Sequence, residues 1–372
     1  MTFEHSWHLK TEDETAALAR EFSLFATTGD WIGLTGDLGA GKTTFVRAMI
    51  RAYTREPIDV PSPTFTLVQT YDEPRVPIAH LDLYRLEAVA EADELGIDEM
   101  ADNHLVLVEW ADRLGERLPT DRLMIDLCIS GDSRQARVTG HGSWQMRLAR
   151  LVQVGRFVGE HAPDCDRQFL QGDASTRRYE RLIAADGQSS LLMDMPAKTE
   201  PVSDDGHVSY SQLVHLADDI SAVLAVNELL RSFGFNAPAT FASDLNNGFA
   251  IVEDFGDAVF GTLENYGTEV SPSIKAAVDI LADMAGREWP NAVTIGDRVH
   301  ELSMYDASAL ETEANLLMDW FWPLVNGTEP DSVKRAEFAA LWLPLLFLVQ
   351  DEDPVLVMRD YHSPNLIWLG KR

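Results

Sequence analysis

Cysteine is nearly absent: Cys128 and Cys165 are the only two in 372 residues. That excludes a disulfide framework and makes a reducing cytosol the simplest setting. Positive charge is also scarce, with 30 Lys and Arg against 60 Asp and Glu, a net charge of −30. The deficit runs through the whole chain. Residues 1–150 hold 15 basic and 25 acidic side chains (net −10), and the remainder holds 15 and 35 (net −20). Neither half has the basic excess needed to hold nucleic acid by itself, so RNA, if involved, would be held by a partner. The acidity reads as a solvated surface that aids solubility. The longest apolar run, "FAALWLPLLFLV" at 338–349, is too short to span a bilayer and reads as a core helix. The start, "MTFEHSWHLKTEDE", is too polar and acidic for a signal peptide. The histidines form no H-x-x-x-H or Cys/His spacing, which argues against zinc. No internal repeat stands out.

What is present organises into two parts, as the length implies. "TEDETAALAREFSLFA" has helical spacing and an acidic start. "WIGLTG" is a buried strand leading through a glycine-rich turn into helical "TTFVRAMIRAY". "PIAHLDLYRL" and "HLVLVEWADRL" each place a strand before an acid, and "DRLMIDLCIS" and "QARVTGHG" are later strands. Such alternation predicts an α/β layer structure over residues 1–145. A helix at 143–161 then serves as a linker, taken as 146–163. Residues 164–372 form a second, α+β domain. It begins with strands around "FLQGDASTRRYERLI" and "SSLLMDMP", then a polar loop at 197–210. A single helix over "SQLVHLADDISAVLAVNELLRSFGF" follows, then the strand of "FAIVEDFGD". Helices are expected near 273–288, 306–325 and 332–350. The aromatic cluster "DWFWP" reads as helix core.

"GDLGAGKTT" matches G-x-x-x-x-G-K-[ST] through Gly36, Gly41, Lys42 and Thr43. Glycines here, with Gly39, Ala40 and Thr44 in the same turn, let backbone N–H groups wrap phosphate oxygens. Lys42 adds a cation for the β and γ phosphates, and the Thr43 hydroxyl can ligate Mg²⁺. A strand before and a helix after supply the context the motif needs. ATP hydrolysis also needs an acid for the metal and a group to orient water. Asp82 and Glu109 both end apolar strands, where the ligand crevice of such a sheet lies; on pattern alone either could instead be an ordinary exposed acid.

These stretches, "LTGDLGAGKTTFVRAMI", "SPTFTLVQTYD", "HLDLYRL" and "VEWADRL" in this order, resemble TsaE, the small ATPase of bacterial tRNA threonylcarbamoyladenosine biosynthesis. The resemblance covers about residues 5–140. It implies that Lys42 and Thr43 hold phosphate and Mg²⁺, that Glu109 is a second metal-site acid, and that Asp82 is a catalytic or metal-linked carboxylate. Thr64, in the switch-like "SPTFT", would lie near the γ-phosphate. Trp110 would lie beside the nucleotide and Thr11 by the adenine. The implied partners are a TsaB–TsaD pair that transfers threonylcarbamoyl to adenosine 37 of tRNA, with ATP hydrolysis resetting the assembly.

In the second half, Asp360 and Asn365 have the D-x-x-x-x-N spacing of a kinase-like catalytic loop. Spacing alone reads equally as a structural turn, here set between short strands "PVLVM" and "LIWL". With "GDASTRRYERL", "LLMDMP", "FAIVEDFGD" and "LSMYDASALETEANLLMDWFWP", however, it resembles the aminoglycoside-phosphotransferase-like sugar kinases, nearest the AmgK branch that phosphorylates N-acetylmuramate and N-acetylglucosamine. The resemblance covers about residues 165–372. It implies an amino-sugar substrate, "GDASTRR" as phosphate loop, "EDFGD" as hinge, Asp360 as base and Asn365 as metal ligand. Asp306, Glu311 and Glu313 would lie where sugar contacts are plausible. Three departures stand out. Met358 replaces the family's His two residues before the Asp. Met193 and Asp194 stand where a lysine would be sought, leaving Arg177 or Arg178 to supply positive charge. No acid follows Asn365 to hold Mg²⁺. The expectation is an incomplete kinase-like domain, inactive as it stands, either a fragment of a longer fusion or a non-catalytic docking domain beside an ATP-gated switch.

Overall fold

The computed structural model describes residues 2–54, 58–72, 75–86, 88–170, 177–197, 210–266, 270–350 and 353–370. The chain divides into two compact units, residues 1–169 and 170–372.

The first unit is a mixed α/β sheet. Its elements are β1 (Phe3–Leu9), α1 (Glu12–Ser23), β2 (Trp31–Gly36), α2 (Lys42–Ala52), β3 (Val68–Tyr71), β4 (Ile78–Asp82), α3 (Ile97–Ala101), β5 (Leu105–Glu109), β6 (Arg122–Ser130), β7 (Ser133–His141) and α4 (Trp144–His161). The seven strands run in the order β1-β7-β6-β2-β5-β4-β3. The central pairs β6–β2, β2–β5 and β5–β4 are parallel, and the flanking pairs are antiparallel. Strand β1 lies in a stretch whose polar alternation gave no strand signal; it joins the edge of the sheet through β7.

Side chains alternate between the two faces of a strand, and here the alternation places the site. Ile32, Leu34, Ile78, Leu105 and Leu107 pack with Phe22 and Phe45 of the helices on one face. Trp31, Ala79, Leu81, Val106 and Val108 fill the other. By the same parity His80, Asp82 and Glu109 lie on the face shared with α2.

Helix α1 is capped by Thr11, whose hydroxyl accepts from the Glu14 backbone N–H, while the Glu14 carboxylate reaches back to the Lys10 N–H, a variant of the capping box. The stretch expected as a linker is α4, and its contacts assign it to the first unit. Trp144, Leu148, Leu151, Val154 and Phe157 are buried along one side, and the helix packs on β7 and β1. Arg147 pins it to the core. Its guanidinium grips Asp30 through two bonds of 2.5 and 2.6 Å, donates to the Phe25 carbonyl oxygen and stacks on Trp144.

The second unit begins in β8 (Asp166–Leu170), which crosses the division between the units, and continues through β9 (Arg178–Ile183), β10 (Ser189–Asp194), α5 (Tyr210–Leu213), α6 (Ile220–Ser232), β11 (Thr240–Asp244) and β12 (Phe249–Glu253). Then follow α7 (Val270–Ala285), β13 (Ala292–Ile295), β14 (Arg298–Glu301), α8 (Ala307–Leu316), α9 (Trp322–Asn326) and α10 (Ser332–Gln350). The five-stranded sheet has the order β11-β12-β10-β9-β8; its resolved pairs among β9–β12 are antiparallel, and one face packs on α6. A sheet-rich start followed by helices matches the expected α+β organisation. The β13–β14 hairpin is an element the sequence did not announce.

Three expectations need correction. The single helix over 211–235 is two, because Asp219 caps α6, accepting from the Ser221 N–H at 2.8 Å, and so starts a new helix. "DWFWP" is not core: Trp320 is 75% and Phe321 57% exposed, and a π-helical turn at Leu317–Phe321 separates α8 from α9. The apolar run of α10 is mostly not core either: Leu346 is buried, but Leu341, Leu343, Leu345, Phe347 and Leu348 are exposed. No helix among the described residues is long and apolar enough to cross a membrane.

Replacing Arg147 with Ala should leave the Asp30 carboxylate, which is only 10% exposed, without its cation and with the Thr27 backbone N–H as a remaining donor. Urea denaturation should show a loss of about 2 kcal/mol, below the range for a fully buried pair because Arg147 itself is 26% exposed.

Candidate active site

The parallel strands β2, β5 and β4 end side by side, bringing Gly36, Glu109 and Asp82 to one rim. Asp82 and Glu109 are register partners. Both are buried, 3% and 2% exposed, which sets aside the alternative that they are ordinary exposed acids. A buried carboxylate must find donors, and each has them. Asp82 accepts from Thr64 Oγ1 at 2.7 Å and Ser62 Oγ at 3.1 Å, and its other oxygen accepts from the Tyr84 N–H at 3.0 Å. Glu109 accepts from Thr43 Oγ1 at 2.7 Å through Oε2, and its Oε1 lies 2.9 Å from His80 Nε2.

The glycine-rich turn leaves β2 at Gly36, where φ is +116° and a Cβ would lie 2.0 Å from the Leu127 carbonyl oxygen of β6. Only glycine fits there. Gly41, at φ +107°, starts α2 with no side-chain cap, so the first-turn N–H groups remain available to an anion. Lys42 is buried. Its ammonium donates to the Gly36 and Asp37 carbonyl oxygens at 2.7 and 2.8 Å. Burial pulls its pKa below the ordinary lysine value, against the opposing charges of Glu109, Asp112, Asp82 and Asp37.

Trp110, directly after Glu109, holds a left-handed backbone at φ +60°, uncommon for a bulky residue. That turn lays its ring under the Lys42 ammonium, 3.5 Å from the ring centroid, a cation–π contact. Tyr84 packs on the outer side at 5.1 Å.

A cavity of about 180 Å³ opens beside the turn, lined by Thr11, Gly39, Ala40, Gly41, Thr44 and Arg134 among others. Thr44 donates to Glu12 at 3.2 Å across its edge. Every residue singled out in this half therefore lies at this rim or in this cavity. Sequence reasoning missed His80, Ser62 and Arg134. For His80 a signal existed: an imidazole two residues before Asp82 in an otherwise apolar strand.

The second group of candidates is looser. Asp360 and Asn365 share one exposed loop, with Asn365 Nδ2 donating to the Asp360 carbonyl oxygen at 3.1 Å and lying 3.1 Å from His362 Nε2. The loop is not set between two strands as expected. A single bridge, Val259 to Ile367, and a 3₁₀ turn at Ser363–Asn365 hold it. Arg359 anchors it to Glu313 and to the Val214 carbonyl oxygen, and Tyr361 donates to the Ala277 carbonyl oxygen at 2.9 Å. Glu313 is thus engaged with Arg359 and Tyr305, and Asp306 caps α8 by accepting from the Ala309 N–H. Arg178 is paired with Asp194 at 3.0 Å and Glu180 at 3.2 Å, so its charge is already matched. Arg181 clasps Asp254 and Asp257 of the "EDFGD" turn. Residues 171–176, most of the expected phosphate loop, lie outside the described residues.

Strand, glycine turn, uncapped helix and two buried strand-end acids define the first unit as a P-loop nucleotide-binding domain. The family model "Threonylcarbamoyl adenosine biosynthesis protein TsaE" matches residues 9–138. The chain is 38% identical over 127 residues to the tRNA threonylcarbamoyladenosine biosynthesis protein TsaE of Rickettsia bellii, covering 34% of this chain and 88% of that protein. With its Bacillus subtilis counterpart it is 41% identical over 130 residues, covering 35% and 80%. Through this unit the chain belongs to the TsaE family. It is also 34% identical over 218 residues to the N-acetylmuramate/N-acetylglucosamine kinase of Caulobacter vibrioides, covering 56% of this chain and 60% of that kinase. That match is longer than the whole first unit and so extends into the second: a TsaE unit is fused to a sugar-kinase-like one. The chain spans less than two thirds of the kinase relative's length.

Gly36→Ala should force β2 away from β6. It is expected to cost more than about 1 kcal/mol of stability, as for a side chain placed at positive φ, and to abolish ADP binding measured by calorimetry.

Proposed function

We propose that the first unit binds and hydrolyses ATP as the ATPase component of tRNA N6-threonylcarbamoyladenosine biosynthesis. The observation that carries this reading is the convergence of Lys42, Thr43 and the buried pair Asp82 and Glu109 on one rim. Lys42, now bonded to carbonyl oxygens of its own turn, is the cation available to the β and γ phosphates, and the α2 N-terminus faces the same anion. The donor set suits Mg²⁺: a threonine hydroxyl beside a carboxylate supplies hard oxygens. Thr43 and Glu109 would hold the ion, which on binding neutralises phosphate charge. Asp82, fixed by three donors, is placed to orient water. Thr64 ties the switch-like segment to Asp82, and the Thr11 cavity suits the nucleoside end. The acidity of residues 1–150 favours a role in which a TsaB–TsaD-like complex, and not this chain, holds the tRNA.

For the second unit we infer an ATP-dependent phosphotransferase acting on an amino sugar of the N-acetylmuramate or N-acetylglucosamine type, with Asp360 as base and Asn365 as metal ligand. The similarity to the Caulobacter kinase, and Asp360 and Asn365 lying bonded together in one loop of this chain, support this over a docking domain gated by the first unit. Both activities suit a cytoplasmic enzyme.

Lys42→Ala should abolish ATP hydrolysis measured with TsaB and TsaD present; retained hydrolysis would place the phosphate site elsewhere. In a chain extended past Arg372 to supply an acid for the metal, Asp360→Asn should eliminate ATP-dependent phosphorylation of N-acetylmuramate while Lys42→Ala leaves it intact. Absence of that phosphorylation in the extended, otherwise unsubstituted chain would instead favour the docking reading.

A further inference from the structure

His80 is fully buried in the middle of β4, 0% exposed, in a strand whose other inward positions are apolar or acidic. A buried imidazole needs a reason to be there. Its Nε2 lies 2.9 Å from Glu109 Oε1, while its Nδ1 has no hydrogen-bond partner among the described residues. An ionised carboxylate only accepts, so the arrangement calls for the proton on Nε2, donated to Glu109. The second Glu109 oxygen faces Thr43 at 2.7 Å. The carboxylate is thus clamped between one donor from the floor of the sheet and one from α2.

The two donors differ in what binding asks of them. The Thr43 hydroxyl is the group proposed to ligate Mg²⁺, and in doing so it would turn an oxygen lone pair to the ion. His80 lies behind the rim, level with Leu107 of β5, and its side chain makes no other hydrogen bond among the described residues. We infer that His80 is a positioning residue that locks Glu109 Oε1, and thereby keeps Oε2 aimed at the Thr43 side where the metal–nucleotide complex is held. This rests on the nucleotide-site reading above. Outer partners that orient a ligating group alter metal affinity by about 10-fold or more when removed.

The test is Mn²⁺ binding to the ADP complex of the full chain, followed by electron paramagnetic resonance, in H80F, H80Q and H80N. A glutamine amide nitrogen can occupy the place of Nε2, whereas the shorter asparagine reaches only that of Nδ1. H80F and H80N should weaken Mn²⁺ binding ~10-fold and leave metal-free ADP affinity, measured in EDTA, at the wild-type value. H80Q should restore Mn²⁺ binding. Wild-type-like Mn²⁺ affinity in H80N, or equal loss in H80Q and H80N, would overturn the inference. If H80F fails to fold by circular dichroism, the glutamine–asparagine comparison decides alone. Should the wild-type chain bind no Mn²⁺–ADP, the nucleotide-site reading fails first and the inference with it.

Discussion

The first unit is organised around two carboxylates that the sheet buries next to each other. Taking Asp82 and Glu109 out of water is unfavourable unless donors replace the lost hydration. The donors come from separate parts of the chain: Ser62 and Thr64 from the segment before β3, Thr43 from the first turn of α2, and His80 from within β4. Each donor ties its own segment to the strand ends. The first turn of α2 and the strand floor are therefore joined through Glu109, and the switch-like segment is joined to the neighbouring strand end through Asp82. A ligand that recruits Thr43 alters the environment of Glu109, and one that recruits Ser62 or Thr64 alters that of Asp82.

Much of this was readable in advance because it rests on local rules. Gly36, Gly41, Lys42 and Thr43 have a spacing that only one backbone path satisfies, and Asp82 and Glu109 sit where apolar runs stop. What could not be read was lateral. Nothing in the sequence says that β4 and β5 are neighbours with Asp82 opposite Glu109, so the His80–Glu109 contact was invisible even though the imidazole in an apolar strand was a signal. Strand β1 was missed because it lies at the edge of its sheet, and edge pairing depends on a partner more than a hundred residues away. Helix α4 was read as a connector because amphipathic spacing says that a face is buried without saying against what; the Arg147–Asp30 grip supplies the answer.

In the second unit it was the burial of two apolar stretches that the sequence reading got wrong. Apolar content was equated with burial, and Trp320, Phe321 and the α10 leucines contradict this. Composition measures what a helix could bury, not what is available to cover it. Polar contacts carry the definition of the candidate loop instead: Arg359 to Glu313, Tyr361 to the Ala277 carbonyl oxygen, Arg181 to the "EDFGD" acids. These tie the loop around Asp360 to α7 and α8, and the "EDFGD" turn to β9, by directed bonds; α10 is tied in the same way only at its start among the described residues, where Arg335 holds Asp319 of the π-helical turn.

The left-handed backbone of Trp110 carries a consequence for how this site tolerates change. A bulky residue at positive φ stores strain of order 1 kcal/mol or more, and glycine at this position would release it. Glycine would also remove the ring beneath the Lys42 ammonium. Backbone ease and the seat of the Lys42 ammonium are therefore opposed at this one position, and no single substitution to glycine can gain the first without giving up the second.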